Sequence, residues 1–357
     1  MSAKLLIYGA NGYTGRLVVD VARARGMSPA DLIVAGRNGQ VIQALGEALG
    51  LEHRVFGLES PSTVDACLDG VSVVLHCAGP FARTATPMAE ACIRMGVHYL
   101  DVTGEVGVFE QLAARSDEAK RAGVMLMPGV GFDVVPSDCL AVHVAARVPS
   151  PTTLRIAILG LGASMSHGTA MTMVENLHRG GLVRRDGKLV KVRPGSVTRE
   201  FDFGRGPKLA MAVPWGDLST AWHSTRIGTI ETYFAASNRM VWGARVAGFM
   251  PWLIGSGPVQ NLMKKRVDAR PAGPTEAERK GSRSILVAEV ENAAGQRAVS
   301  RLTTPNGYAL TADASVEIAQ RVLGGAFQPG FQTPALVFGA DFVLTLEGTA
   351  REDLILS

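Results

Sequence analysis

Four cysteines in 357 residues, Cys67, Cys77, Cys92 and Cys139, are too few for a disulfide scaffold, and no two stand at C-x-x-C spacing. A secreted cystine framework and a structural zinc site are therefore not expected, and a reducing, cytoplasmic setting suits the chain best. Aromatic residues make up only 6% and charged residues 19%, with 36 Lys and Arg nearly balanced by 32 Asp and Glu. This excludes a disordered or fibrous chain and fits a soluble globular one. The net charge of +4 is scattered, and no helix-turn-helix, zinc-finger or RRM-like pattern accompanies it, so nucleic acid is not an expected partner. The opening apolar run is too short for a signal peptide's hydrophobic region, and secretion is not expected. H-E-x-x-H, G-x-S-x-G and P-loop motifs are missing, which removes the easily recognised metalloprotease, hydrolase and nucleotide-triphosphatase readings. None of Tyr8, Tyr13, Tyr99, Tyr233 and Tyr308 has a lysine four residues on, so the proton donor of short-chain dehydrogenases is absent too.

What is present is organisation on the scale of about two domains. The first 130 residues or so alternate short apolar runs (4–10, 31–37, 54–58, 71–78, 98–103 and 124–130) with amphipathic stretches. That alternation predicts βαβ units and a doubly wound parallel sheet, an α/β fold. After Pro136 the texture becomes longer strands with hairpin signals at Asp186-Gly187 and around Gly295, which predicts a separate α+β domain. Residues 268–284 read as a long loop. Residues 311–323 place Val316, Ala319, Val322 and Leu323 on one helix face before Gly324-Gly325. The apolar segment 240–254 is interrupted by Arg245 and Pro251 and falls short of the ~20 residues that span a bilayer. It is expected to be a buried or subunit-interface helix. The alternative, with Lys264-Lys265-Arg266 close behind, is a peripheral contact with anionic lipid.

Directly after the first strand stands Gly9-Ala10-Asn11-Gly12-Tyr13-Thr14-Gly15, a G-x-x-G-x-x-G turn that opens a helix. Glycine there permits a tight turn and close backbone approach to a pyrophosphate, and the helix offers free N–H groups and a positive dipole end. The end of the second strand, where an NAD enzyme places Asp or Glu against the ribose, reads Ala35-Gly36-Arg37-Asn38. Arg37 has the guanidinium fork for a 2′-phosphate and no carboxylate beside it, so NADP is the expected cofactor. A second glycine run, Leu159-Gly160-Leu161-Gly162-Ala163-Ser164-Met165, lacks the third glycine and reads as a turn into a helix capped near Ser166.

Three further blocks lie where later strands should end near a nicotinamide. Cys77-Ala78-Gly79-Pro80-Phe81 is a small-residue loop that lets a cofactor ribose approach the backbone. Tyr99-Leu100-Asp101-Val102-Thr103-Gly104-Glu105 brings two carboxylates and a hydroxyl, with Asp101 and Thr103 on one side by alternation. Gly131-Phe132-Asp133, followed by Pro136-Ser137-Asp138, adds two acids and a helix start. Asp101, Glu105 and Asp133 are the candidates for proton transfer or orientation, and structural duty as caps or turn formers is the competing reading for each.

Taken together, the Gly9 to Gly15 turn, Ala78-Gly79-Pro80, the Tyr99 to Glu105 block and Gly131-Phe132-Asp133 resemble the saccharopine dehydrogenase-like oxidoreductase family, particularly the branch that includes trans-acting enoyl reductases. Ser166-His167-Gly168-Thr169-Ala170 and Gly307-Tyr308-Ala309-Leu310-Thr311-Ala312 sit where that branch has similar blocks. The resemblance implies a Rossmann domain built from 1–134 and 308–357 and an inserted mixed-sheet domain, 135–307, that covers the site and often forms a homodimer. It also implies an NADPH-dependent reductase. The bond reduced is a conjugated C=C or a C=O or C=N bond of a small-molecule or acyl substrate. The catalytic candidates stay Asp101, Glu105 and Asp133. The cofactor candidates are Gly9, Asn11, Gly12, Tyr13, Thr14, Gly15, Arg37, Ala78, Gly79, Pro80 and Thr103. Two alternatives stand beside it: a non-catalytic NADP-binding sensor or membrane partner, and a saccharopine-type imine reductase that would call on Arg184, Arg185 and Arg193.

Overall fold

The computed structural model describes residues 3–161, 167, 170–171, 174, 180–249, 252, 256–269 and 273–355. The chain divides into two compact units, Met1–Val135 with Gly307–Gly339, and Pro136–Asn306 with Ala340–Ser357.

The first unit holds strands β1 (Leu5–Tyr8), β2 (Leu32–Gly36), β3 (Glu52–Val55), β4 (Val73–His76), β5 (His98–Asp101) and β6 (Met125–Met127). They lie in the order β6-β5-β4-β1-β2-β3, with a short strand, Gly330–Phe331, added beside β6. Every neighbouring pair is parallel. Strands β1, β2, β4 and β6 are buried along their whole length, as the unbroken apolar runs demand when helices cover both faces. The helices α1 (Tyr13–Ala24), α2 (Gly39–Leu49), α3 (Pro61–Cys67) and α4 (Phe81–Met95) connect the first strands. The order reverses between β1 and β4, and in such sheets that reversal opens a crevice at the carboxyl ends. Helix Gly307–Leu323 returns to this unit, where Asp313 and Glu317 both pair with Arg25 at the end of α1. The third strand lies earlier than the expected 54–58. Phe56 is buried just beyond the strand, where its N–H still donates to the Gly36 carbonyl of β2 at 3.1 Å and its own carbonyl accepts a 3.0 Å bond from the Tyr8 hydroxyl.

The second unit is built on a mixed sheet around β7 (Pro151–Leu161). The hairpin of β8 (Gly181–Arg185) and β9 (Lys188–Val192) turns at Asp186 and Gly187, with φ of 47° and 75°, as a two-residue turn of the twist-matching type requires. Strands β10 (Thr198–Asp202), β11 (Pro207–Ala212) and β12 (Thr229–Ala235) extend one side, β12 running parallel to β7. On the other side β13 (Arg283–Asn292) and β14 (Arg297–Pro305) form the hairpin at Gly295.

Three expectations are corrected here. The stretch 340–357 does not return to the first unit, because strand Ala350–Leu354 pairs antiparallel with β14. The loop expected at 268–284 contains helix Glu276–Gly281, started by a capping box between Thr275 and Glu278. In the segment 240–254 the buried half of the expectation fails among the described residues, while a subunit interface is compatible with what they show. Within helix Asn238–Phe249 only Val241 is buried, and Trp242, Phe249 and the neighbouring Trp252 stand exposed. Of this segment, 250–251 and 253–254 lie outside the described residues, as does most of the second glycine run and of the Ser166 to Ala170 block.

Candidate functional site

The turn after β1 divides its work among three glycines. Gly9 has φ of +83°, and a Cβ there would also meet Ala78 at 2.8 Å, so both backbone geometry and the next strand's loop demand glycine. Its N–H donates to the Ala35 carbonyl at 2.8 Å, and Gly12 N–H closes the turn on the Gly9 carbonyl at 2.9 Å. Gly12 is the N-cap of α1 and has no side chain with which to cover the first turn's N–H groups. A Cβ on Gly12 would meet nothing nearer than 3.3 Å, whereas one on Gly15 would stand 2.2 Å from the Gly9 carbonyl oxygen. Glycine at 12 thus keeps the cradle open and glycine at 15 lets α1 sit against the turn. Such a cradle fits a dinucleotide pyrophosphate, held by backbone N–H groups at a helix start.

Arg37 is exposed and follows the last residue of β2 directly, at the sheet's carboxyl edge. The Asn38 side chain beside it caps α2 by accepting from Val41 N–H, so the end of β2 carries one guanidinium and a committed amide. The Asn11 amide oxygen lies over Gly36, where a Cβ would approach it to 3.1 Å.

The strand-end blocks are laced together by carboxylates. Asp101 Oδ1 accepts from Thr103 N–H and Gly129 N–H, each at 2.9 Å, and Oδ2 accepts from the Tyr99 hydroxyl at 2.7 Å. The Thr103 hydroxyl then accepts from Glu105 N–H at 3.1 Å, and the Glu105 carboxylate accepts from Phe81 N–H and Ala82 N–H at 2.9 and 3.2 Å. Two acids and a hydroxyl therefore tie the loops after β4, β5 and β6 into one surface. Burial raises Asp101 to about 6 against these donors. Asp133 is likewise pushed up to about 6 by burial, and it packs over Gly104, where a Cβ would stand 2.7 Å from Asp133 Oδ2. Burial, with Asp101 beside it, pushes the Cys77 thiol up to about 12, so it is no nucleophile near neutral pH.

Three side chains to which the sequence assigned no role take part. His76, at the end of β4, is fully buried and held down to about 3, so it is neutral. It meets the Thr84 hydroxyl at 2.9 Å, and that hydroxyl donates to the Ala78 carbonyl at 2.7 Å, fixing the loop that carries the cis Gly79-Pro80 bond. Tyr308 sets its ring edge-on to Tyr13 with centroids 5.3 Å apart, and Thr311 accepts from Phe132 N–H at 2.9 Å. No local pattern announces these contacts, since Tyr308 reaches the turn, and Thr311 the loop after β6, from the far end of the chain. The buried Arg184 donates to the carbonyls of Leu218 and Gly187, and Arg185 pairs with Glu231, so both are spent within the second unit. Among the described residues no group of three or more His, Cys, Asp or Glu could hold a metal ion, and no helix is long and apolar enough to cross a membrane.

Residues 5–127 match the family of the saccharopine dehydrogenase NADP binding domain. Among curated proteins, the chain is 31% identical over 150 residues to a trans-acting enoyl reductase of Mycobacterium leprae, covering 40% of this chain and 36% of that one. It is 25% identical over 166 residues to a human saccharopine dehydrogenase-like oxidoreductase, covering 42% and 39%. The matched stretch thus spans less than half the length of these relatives. Among solved structures, apo saccharopine dehydrogenase (L-Glu forming) from Saccharomyces cerevisiae superposes with a TM-score of 0.66 at 13% identity, over 99% of this chain and all of that one, which is a likeness of fold. With the glycine cradle and the parallel sheet in place, residues 5–127 are similar to the saccharopine dehydrogenase NADP binding domain, a likeness confined to the first unit.

Proposed function

We propose that the chain is an NADPH-dependent oxidoreductase that reduces a conjugated C=C bond, or a related C=O or C=N bond, in an acyl or lipid-like substrate. The observation that carries this reading is the open glycine cradle at the sheet's reversal point with Arg37 beside it and no carboxylate at the end of β2. Gly9, Asn11, Gly12, Tyr13, Thr14 and Gly15 hold the pyrophosphate, Arg37 takes the 2′-phosphate, and Ala78, Gly79, Pro80 and Thr103 form the wall toward the nicotinamide. NADPH, when bound, supplies the hydride. Asp101 and Glu105 keep the three loops in register through backbone N–H groups. Asp133, whose carboxyl burial raises to about 6 and which packs over Gly104 in the loop after β5, is our candidate for the acid that gives up the proton completing a reduction.

The kinship with a trans-acting enoyl reductase favours a C=C substrate. The internal engagement of Arg184 and Arg185 argues against an amino-dicarboxylic one, which would need free guanidinium groups. Titration of NADPH fluorescence, followed by NADPH oxidation across enoyl thioesters, imines and aldehydes, tests the reading. Saturable binding with turnover of an enoyl thioester is expected. Binding with no turnover of any class would make the chain a non-catalytic NADP-binding protein, and no saturable binding would remove the cofactor assignment itself.

A further inference from the structure

Among the described residues, the exposed tryptophans and the most exposed phenylalanine lie close together along the chain. Trp242 is 69% exposed, Phe249 73% and Trp252 72%. Within helix Asn238–Phe249 the inward face is Val241, Ala244 and Gly248 at helical spacing, while Arg239, Trp242, Val246 and Phe249 form the opposite stripe. The next helix, Gly257–Asp268, has an inward apolar face and a largely cationic outward one. Met263 and Val267 pack inward with Ala170 and Val174, leaving Leu262, Lys265 and Arg266 on the outward side. A solvent-facing apolar stripe of this kind adds nothing to the unit's own core, and it marks a surface that meets something else.

Charge selects the occupant. From residue 238 to 267 the chain carries Arg239, Arg245, Lys264, Lys265 and Arg266 and not one Asp or Glu. Asp268, which follows, is engaged by His167 at 2.9 Å. Arg193 adds a further guanidinium over the Phe249 ring, 5.8 Å from its centroid. A second copy of this face would oppose like charges, so self-association through it is disfavoured. Two exposed tryptophans among cations are the composition of an interfacial surface, where amphipathic rings sit at headgroup depth and cations meet anionic lipid.

We propose that helices Asn238–Phe249 and Gly257–Asp268 dock the protein onto an anionic bilayer surface, with Trp242, Phe249 and Trp252 entering the headgroup region and Lys265 and Arg266 meeting lipid phosphates. This inference does not depend on the reductase reading. Flotation of the full chain with vesicles of phosphatidylcholine, alone or mixed with phosphatidylglycerol, tests it, with tryptophan emission as a second readout. Flotation with the anionic vesicles only, a blue shift in emission and release by high salt are expected. W242F/W252F should keep most of the binding and lose the shift. F249S/W242S should lose binding while unfolding at the parent temperature, and K265Q/R266Q should weaken partition about twenty-five-fold, roughly fivefold for each cation. The proposal is overturned if the chain ignores both vesicle types or binds the neutral ones equally well. It is also overturned if light scattering shows a dimer that F249S/W242S dissolves, since the face would then belong to a second copy.

Discussion

Glu105 caps a helix to which it does not belong: its carboxylate accepts a 2.9 Å hydrogen bond from the backbone N–H of Phe81, the first residue of α4. The acid therefore settles where α4 begins, and with it the position of Ala78, Gly79 and Pro80 just upstream. A proton donor would need to leave its partners during the reaction, whereas a cap has to stay.

Replacing Glu105 separates the two roles. Glu105→Gln keeps a carbonyl oxygen for one of the N–H groups, and Glu105→Ala removes both acceptors. For the alanine variant we expect a loss of about 1 kcal/mol in stability, the usual cost of a missing cap, and NADPH binding weakened several-fold. Glutamine should fall between it and the parent. Thermal unfolding and fluorescence titration measure the two. A collapse of kcat in Glu105→Gln with binding untouched would instead make Glu105 the proton donor.

The glycines of the turn should fail in different ways. Gly15→Ala drives a methyl group to 2.2 Å from a carbonyl oxygen, so α1 must shift and both stability and NADPH affinity drop. Gly12→Ala sets its methyl group 3.3 Å from the Gly9 carbonyl oxygen, a tight contact that a small shift of the turn relieves, so it should destabilise far less than Gly15→Ala. Its methyl group nonetheless stands where a phosphate must approach, so affinity should fall at least tenfold. Equal affinity in Gly12→Ala and the parent would place the pyrophosphate elsewhere.

Arg37→Glu puts a carboxylate at the end of β2. It should weaken NADPH by about tenfold to a hundredfold, the range of a lost charge-assisted hydrogen bond to phosphate, and leave NADH unchanged or tighter. Paired dissociation constants for the two nucleotides decide it. An equal loss for both removes the 2′-phosphate from Arg37.

Much of the first unit was legible because a parallel sheet buried on both faces needs unbroken apolar runs, and a dinucleotide turn needs glycine at fixed spacing. The D-V-T-G-E block was visible as chemistry-bearing, but not the identity of what its acids hold. Asp101 meets Gly129 and Glu105 meets Phe81 across more than twenty residues of chain, and nothing local in either stretch encodes the partner. The same holds for Tyr308 against Tyr13. For segment 240–254 the buried reading failed for another reason. Hydropathy reports that a side chain prefers to leave water and is silent on whether the chain's own core provides the place.

The buried acids also set a pH dependence with a definite sign. Asp101 has an ordinary value of 3.8 and is raised to about 6 in the folded chain, and Asp133 is raised equally. Folding therefore favours the protonated forms. Their contribution is fully present below the ordinary value and is lost as pH rises from about 4 to about 6. Asp101→Asn should keep the geometry: one amide oxygen serves Thr103 and Gly129 N–H, and the Tyr99 hydroxyl turns to accept from the new amide nitrogen. Unfolding temperature measured from pH 4 to 8 should then fall less steeply across this window than in the parent, about half the slope remaining with Asp133. A variant profile parallel to the parent's would show that Asp101 does not titrate there, and its burial would have to be offset by the three hydrogen bonds it accepts.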